Sequence, residues 1–191
     1  METISFSEAF KYPFKRPMRL LYILLIFVPL IGWFALYGLF VRIVNEFVEG
    51  KYGGLPALHF MDDLVLGFKM FLKSLPFFLV YFIVVLPVIF YDETAGNLLS
   101  LILGFFVLPV LSVNFFRKKT VGSYFEFGML GYVAGNIGDY VVAMLKQYAL
   151  IFVFLILSII LVGIPAMQFT SWIFIANFYG RYVREEAGSY P

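Results

Sequence analysis

The stretch Val28-Pro29-Leu30-Ile31-Gly32 sits in the middle of the apolar run Leu20–Val41, and its reading decides the fold. Proline has no N–H to donate, and its ring clashes with the preceding helical turn. The run is therefore either one membrane span or two short arms joined at Pro29. Four further spans stand out at Leu75–Tyr91, Asn97–Phe116, Val142–Gly163 and Pro165–Val183. One span at the start gives five in total; two arms give six.

Charge decides between the two counts. Lys and Arg collect on the cytoplasmic side near span ends. With six membrane-inserted helices in three hairpins, both termini lie inside and all 14 Lys and Arg fall on the cytoplasmic side. The outside then holds only three turns, Pro29–Gly32, Asp92–Asn97 and Gly163–Pro165, with Asp92 and Glu93 as their charges. A five-span chain divides the cations between the two sides. The six-helix reading is therefore the expectation. Its first two arms are short, about 20 Å for 13 residues at 1.5 Å each, so this hairpin either crosses fully or is re-entrant.

Composition agrees with a membrane chain. Of 191 residues, 62% are hydrophobic and 14% charged, against about 45–50% and about 25% in soluble domains. An ordinary soluble enzyme is excluded. Continuous rather than alternating apolar runs argue against an outer-membrane barrel. A net charge of +2 gives no case for nucleic acid, and with no cysteine there is no disulfide or thiolate chemistry. Lys11, Lys15, Arg16 and Arg19 ahead of Leu20 look like the start of a signal peptide. No small-x-small cleavage site follows, so the run reads as a retained segment.

The chain reads as a single membrane domain, 1–191, with a weak threefold repeat at about 4–50, 59–119 and 123–186. Ser5-Phe6-Ser7-Glu8, His59-Phe60-Met61-Asp62 and Ser123-Tyr124-Phe125-Glu126 share a polar-aromatic-x-acid pattern. The first and third read as capping boxes. Each opens an amphipathic stretch leading to a hairpin. The second stretch is the clearest: Met61, Leu64, Val65, Phe68, Phe71, Leu72 and Leu75 recur at helical spacing, with Asp62, Lys69 and Lys73 opposite. Such a helix lies in the bilayer surface. The fold expected is all-α: a membrane bundle with amphipathic interfacial helices on the cytoplasmic side.

Candidate sites are few. Gly128, Gly131, Gly135 and Gly138 are spaced for one helix face, which lets backbones pack closely. The alternative is a loop, because Asn136-Ile137-Gly138-Asp139 also reads as a turn. His59, Asp62 and Asp63 have metal-ligand side chains, but acids at a helix start answer equally to its dipole. No catalytic residue, metal site or cofactor is expected. The span middles carry no ionisable residue. Their polar groups (Ser112, Asn114, Ser158, Gln168, Thr170, Ser171 and Asn177) fit interhelical hydrogen bonds or a polar solute path.

The residues Ala9-Phe10-Lys11-Tyr12-Pro13-Phe14, the Pro29-Leu30-Ile31 break, Gly38 with Arg42, Glu49-Gly50, Leu55-Pro56, Asp62-Asp63 and Gly67-Phe68-Lys69 carry a resemblance. The pattern resembles the prokaryotic polytopic membrane-protein family catalogued as domain of unknown function four thousand and thirteen. It extends over nearly the whole chain, most clearly residues 6–75, and departs at Ala57-Leu58-His59-Phe60. The resemblance implies a multi-pass membrane protein and brings no activity.

The expected function is non-catalytic organisation or assembly at the cytoplasmic membrane. The basic residues Lys15, Arg16, Lys69, Lys73, Arg117, Lys118 and Lys119 would face anionic lipid headgroups, a membrane-protein partner or a second copy. A transporter or channel for a small solute or lipid is the alternative.

Overall fold

A computed structural model describes residues 4–188. Among them every regular element is helical. Nine α-helices run in order: α1 (Phe6–Lys11), α2 (Ile31–Val48), α3 (Phe60–Tyr91), α4 (Glu93–Ile102), α5 (Leu108–Lys118), α6 (Gly128–Gly135), α7 (Ile137–Leu157), α8 (Gly163–Thr170) and α9 (Ile173–Gly188). A 3-10 helix, Pro17–Phe27, precedes α2, and a π-helical turn, Leu103–Val107, joins α4 to α5. Four helical stretches are long and apolar enough to cross a membrane: Ile31–Val48, Phe60–Tyr91, Glu93–Lys118 and Ile137–Ile160.

The helices break close to where the sequence suggested. The first break falls between Phe27 and Ile31, with Leu30 at φ 63°. The second is Asp92, whose carboxylate accepts the Ala95 N–H and caps α4. The third follows Ile160, with Leu161 at φ 63°. At each break a glycine lets the second arm touch the backbone of the first. A Cβ on Gly32 would meet the Leu25 carbonyl, one on Gly96 the backbone of Ile89, and one on Gly163 the Phe154 carbonyl.

Three expectations are corrected. The stretch 61–75 is no separate surface helix; it runs unbroken through Pro76 into the rest of α3. Pro76 removes one backbone bond, and the flanking turns of this 32-residue helix carry it past the gap. The segment Pro165–Val183 is not one helix but two, interrupted at Ser171-Trp172. Ser123 does not cap a helix: its hydroxyl donates to the Thr120 carbonyl, and residues 121–125 form a 3-10 turn. That turn instead inserts the Tyr124 ring between Phe77 and Phe115, stacked at 4.3 and 4.2 Å. Ser5 and Glu8, by contrast, form a complete capping box at α1.

The core lies where α2, α5, α7 and α9 meet. It buries Leu39, Phe47, Phe115, Leu150, Phe169, Ala176 and Phe178. The outer faces of α3, α4 and α7 expose Leu79, Ile83, Leu101, Leu145 and Phe152, each more than half exposed. Exposure of that kind on long helices is the signature of lipid-facing surface.

Candidate functional site

The most closely packed crossing joins α2 and α3. A Cβ on Gly38 would collide with the Asp63 carbonyl, and one on Gly67 with the Phe34 carbonyl. Only glycine allows this approach from both sides. Beside it, Arg42 Nη1 donates to both Asp63 carboxylate oxygens at 2.8 Å, and Nη2 donates to the Ala57 carbonyl at 3.0 Å. Asp63 is fully buried and also accepts the His59 N–H at 2.8 Å. A buried carboxylate is tolerated only when paired and hydrogen-bonded in this way. The fold brings Gly38, Arg42, Asp63 and Gly67 to one point. Asp63 thus serves as an anchor for α2. Among the described residues no three His, Cys, Asp or Glu side chains gather as a metal site.

The basic residues divide into two groups. In the first, Lys15 Nζ donates to the Tyr52 carbonyl at 2.7 Å, while Arg16 and Arg19 donate to the Leu55 carbonyl. These bonds fasten the N-terminal segment to the loop 49–59, where Gly54 takes a φ of 107°. In the second, Lys73 Nζ donates to the Lys119 carbonyl at 2.7 Å, and Lys118 pairs with Glu126. Lys119 itself ends α5 in the left-handed conformation at φ 57°. Lys69, Arg117, Lys118 and Lys119 are exposed. Lys118, with help from the Asn114 amide, holds the Glu126 carboxyl below its ordinary 4.5.

The glycine series does not pack. Nothing lies within 4 Å of a Cβ built on Gly128, Gly131, Gly135 or Gly138. The helix breaks at Asn136, so Gly128, Gly131 and Gly135 belong to α6 and Gly138 to α7. Gly128, Gly131 and Gly135 share one face of α6, but Gly138 is cut off from it and none of the four meets another element within the chain. The glycines that do meet backbone are Gly32, Gly38, Gly67, Gly96, Gly163 and Gly180.

The polar residues considered for a solute path lie apart. Asn114 borders a 490 Å³ cleft with Arg117, Lys118, Glu126 and Tyr179, at the end of α5. Asn177 borders a separate 170 Å³ pocket, and Gln168 a third beside Trp33. The first two already have partners. Asn114 donates to the Ser123 carbonyl and to Glu126, and accepts from the Tyr179 hydroxyl at 2.7 Å. Asn177 accepts the Ile4 N–H and donates to the Tyr52 hydroxyl.

Two structurally decisive polar groups escaped the sequence reading. Gln147, buried in α7, spans the gap between α8 and α9. Its amide donates to the Thr170 carbonyl at 2.9 Å and accepts the Phe174 N–H at 3.2 Å. The Tyr140 hydroxyl donates to the Phe105 carbonyl at 2.7 Å. That carbonyl lies four residues before Pro109, which has no N–H to return. A lone Gln in the run Val142–Gly163, and a proline inside a span, were the available signals.

Among the described residues, the all-helical fold and the exposed apolar helices are those of a membrane protein. No protein family, no curated protein and no solved structure matches the chain.

Proposed function

We propose that the chain is a six-helix inner-membrane protein, built as three hairpins with both termini in the cytoplasm, that organises lipid or a membrane partner without catalysing a reaction. The three breaks would be the outer turns. The 3-10 arm Pro17–Phe27 and the divided pair α8–α9 would complete the six.

One observation carries this reading. Lys15, Arg16 and Lys73 each give one donor to a backbone carbonyl, and the side chains of Lys15, Arg16, Lys69, Arg117, Lys118 and Lys119 are exposed. Lys and Arg carry several donors, so those heads remain available to phosphates. Each basic side chain near a membrane surface adds about 1 kcal/mol of attraction to anionic lipid. A partner protein or a second copy would dock on the same face.

Lipid nanodiscs holding anionic and zwitterionic lipids test this. Spin-labelled anionic lipid should be enriched at the protein, and Gln at Lys69, Lys73, Arg117, Lys118 and Lys119 together should reduce the enrichment severalfold. Equal enrichment of both lipids would overturn the reading. Cysteine labelling at Lys15, Glu93 and Lys118 checks the topology; labelling of Lys15 from outside would end the six-helix arrangement. The transporter alternative gains no support from the separate clefts around Asn114, Gln168 and Asn177. Solute uptake into proteoliposomes above protein-free vesicles would restore it.

A further inference from the structure

An apolar groove of about 580 Å³ lies between the 3-10 arm and the segment leading into α8. Pro17, Leu20, Leu24 and Phe27 form one wall; Leu161 and Ile164 form the other. Leu24, Phe27 and Leu161 are each more than half exposed, so the groove opens outward rather than into the core. We propose that this groove holds one acyl chain of a single anionic phospholipid, with the phosphate on the cations next to Phe14 and Pro17. The proposal rests on the membrane reading above and adds to it a defined lipid site.

Length and charge both select that occupant. A 3-10 helix rises about 2.0 Å per residue, so the arm spans about 22 Å. One leaflet of hydrocarbon is about 15 Å deep, so a chain from one leaflet lies along the arm. Phe14 and Pro17, the first residues of the lining, flank Lys15 and Arg16 in the chain. Residues 9–27 carry Lys11, Lys15, Arg16 and Arg19 and no acid. Lys11, Lys15 and Arg16 are exposed. Lys15 and Arg16 each give one donor to the loop carbonyls of Tyr52 and Leu55, leaving others for a phosphate. The nearby carboxylate of Glu8 is turned back into the Ser5 capping box. A second protein copy would need both an apolar ridge and acids opposite Lys11 and Lys15, whereas Arg16 already has Glu46 nearby.

Native mass spectrometry is the test, with protein equilibrated in mild detergent with phosphatidylglycerol and phosphatidylcholine of equal chain length. The wild type should retain one phosphatidylglycerol in preference to phosphatidylcholine. Filling the groove with Leu24→Trp and Ile164→Phe should remove the retained lipid while the nanodisc enrichment persists. Gln at Lys11, Lys15 and Arg16 leaves the groove intact. It should keep a bound lipid but lower the preference by about fivefold per cation. Three results would each overturn the proposal: equal retention of both lipids by the wild type, unchanged preference in the triple Gln variant, or a dimer in place of the lipid adduct. Loss of nanodisc enrichment alone would remove the organising function and leave this site standing.

Discussion

At the scale of single residues, hydrogen bonds that repair broken backbone matter more than the exposed charges. The Tyr140 hydroxyl serves a carbonyl that Pro109 cannot. Tyr140→Phe should therefore cost about 1–3 kcal/mol, the penalty of an unsatisfied buried group. In a Pro109→Ala background, which restores an N–H, the same change should cost clearly less; denaturation in detergent measures both. Glu126 gives a pH signature. Its folded pKa lies below its ordinary value of 4.5 because Lys118 and Asn114 stabilise the carboxylate. The stability it contributes is present above 4.5 and is lost as pH falls through the lower, folded value. The pair is half exposed, so the effect is well under about 1 kcal/mol. Thermal unfolding should show a small extra loss at acid pH that disappears in Glu126→Gln.

At the scale of elements, the breaks at Pro29, Asp92 and Gly163 were legible because each carries its own local cause: a proline, an N-capping acid, a glycine touching backbone. The interruption at Ser171-Trp172 was not legible. It contains neither proline nor glycine, and its stability comes from Gln147 on another helix. Gln147→Leu should orphan both partners, at about 1–3 kcal/mol each. Hydrogen exchange should rise at residues 170–176 before it rises elsewhere. Glycine spacing misled for a related reason. Close approach is a property of two backbones, and a stripe on one helix says nothing of the other. Gly38 and Gly67 meet a partner; Gly128, Gly131, Gly135 and Gly138 do not. Gly67→Ala, driving a methyl against the Phe34 carbonyl, should destabilise by at least about 1–3 kcal/mol. Gly131→Ala, in open space, should be neutral or slightly stabilising.

At the scale of the whole molecule, the continuity of α3 has a mechanical consequence. Thirty-two residues in one helix make a rod of about 48 Å, whereas bilayer hydrocarbon is about 30 Å thick. Its first half is clamped to α2 by Gly38, Gly67 and the Arg42–Asp63 pair, so the rod cannot shorten by unwinding there. It must accommodate the excess by tilting, or by carrying one end clear of the hydrocarbon. Thermal stability in bilayers of graded chain length should therefore peak in the thicker members of the series, and a maximum in the thinnest would contradict a rigid α3. With α2 fastened to its base and the Asp92 turn at its far end, any tilt of α3 would pivot at the Arg42–Asp63 contact.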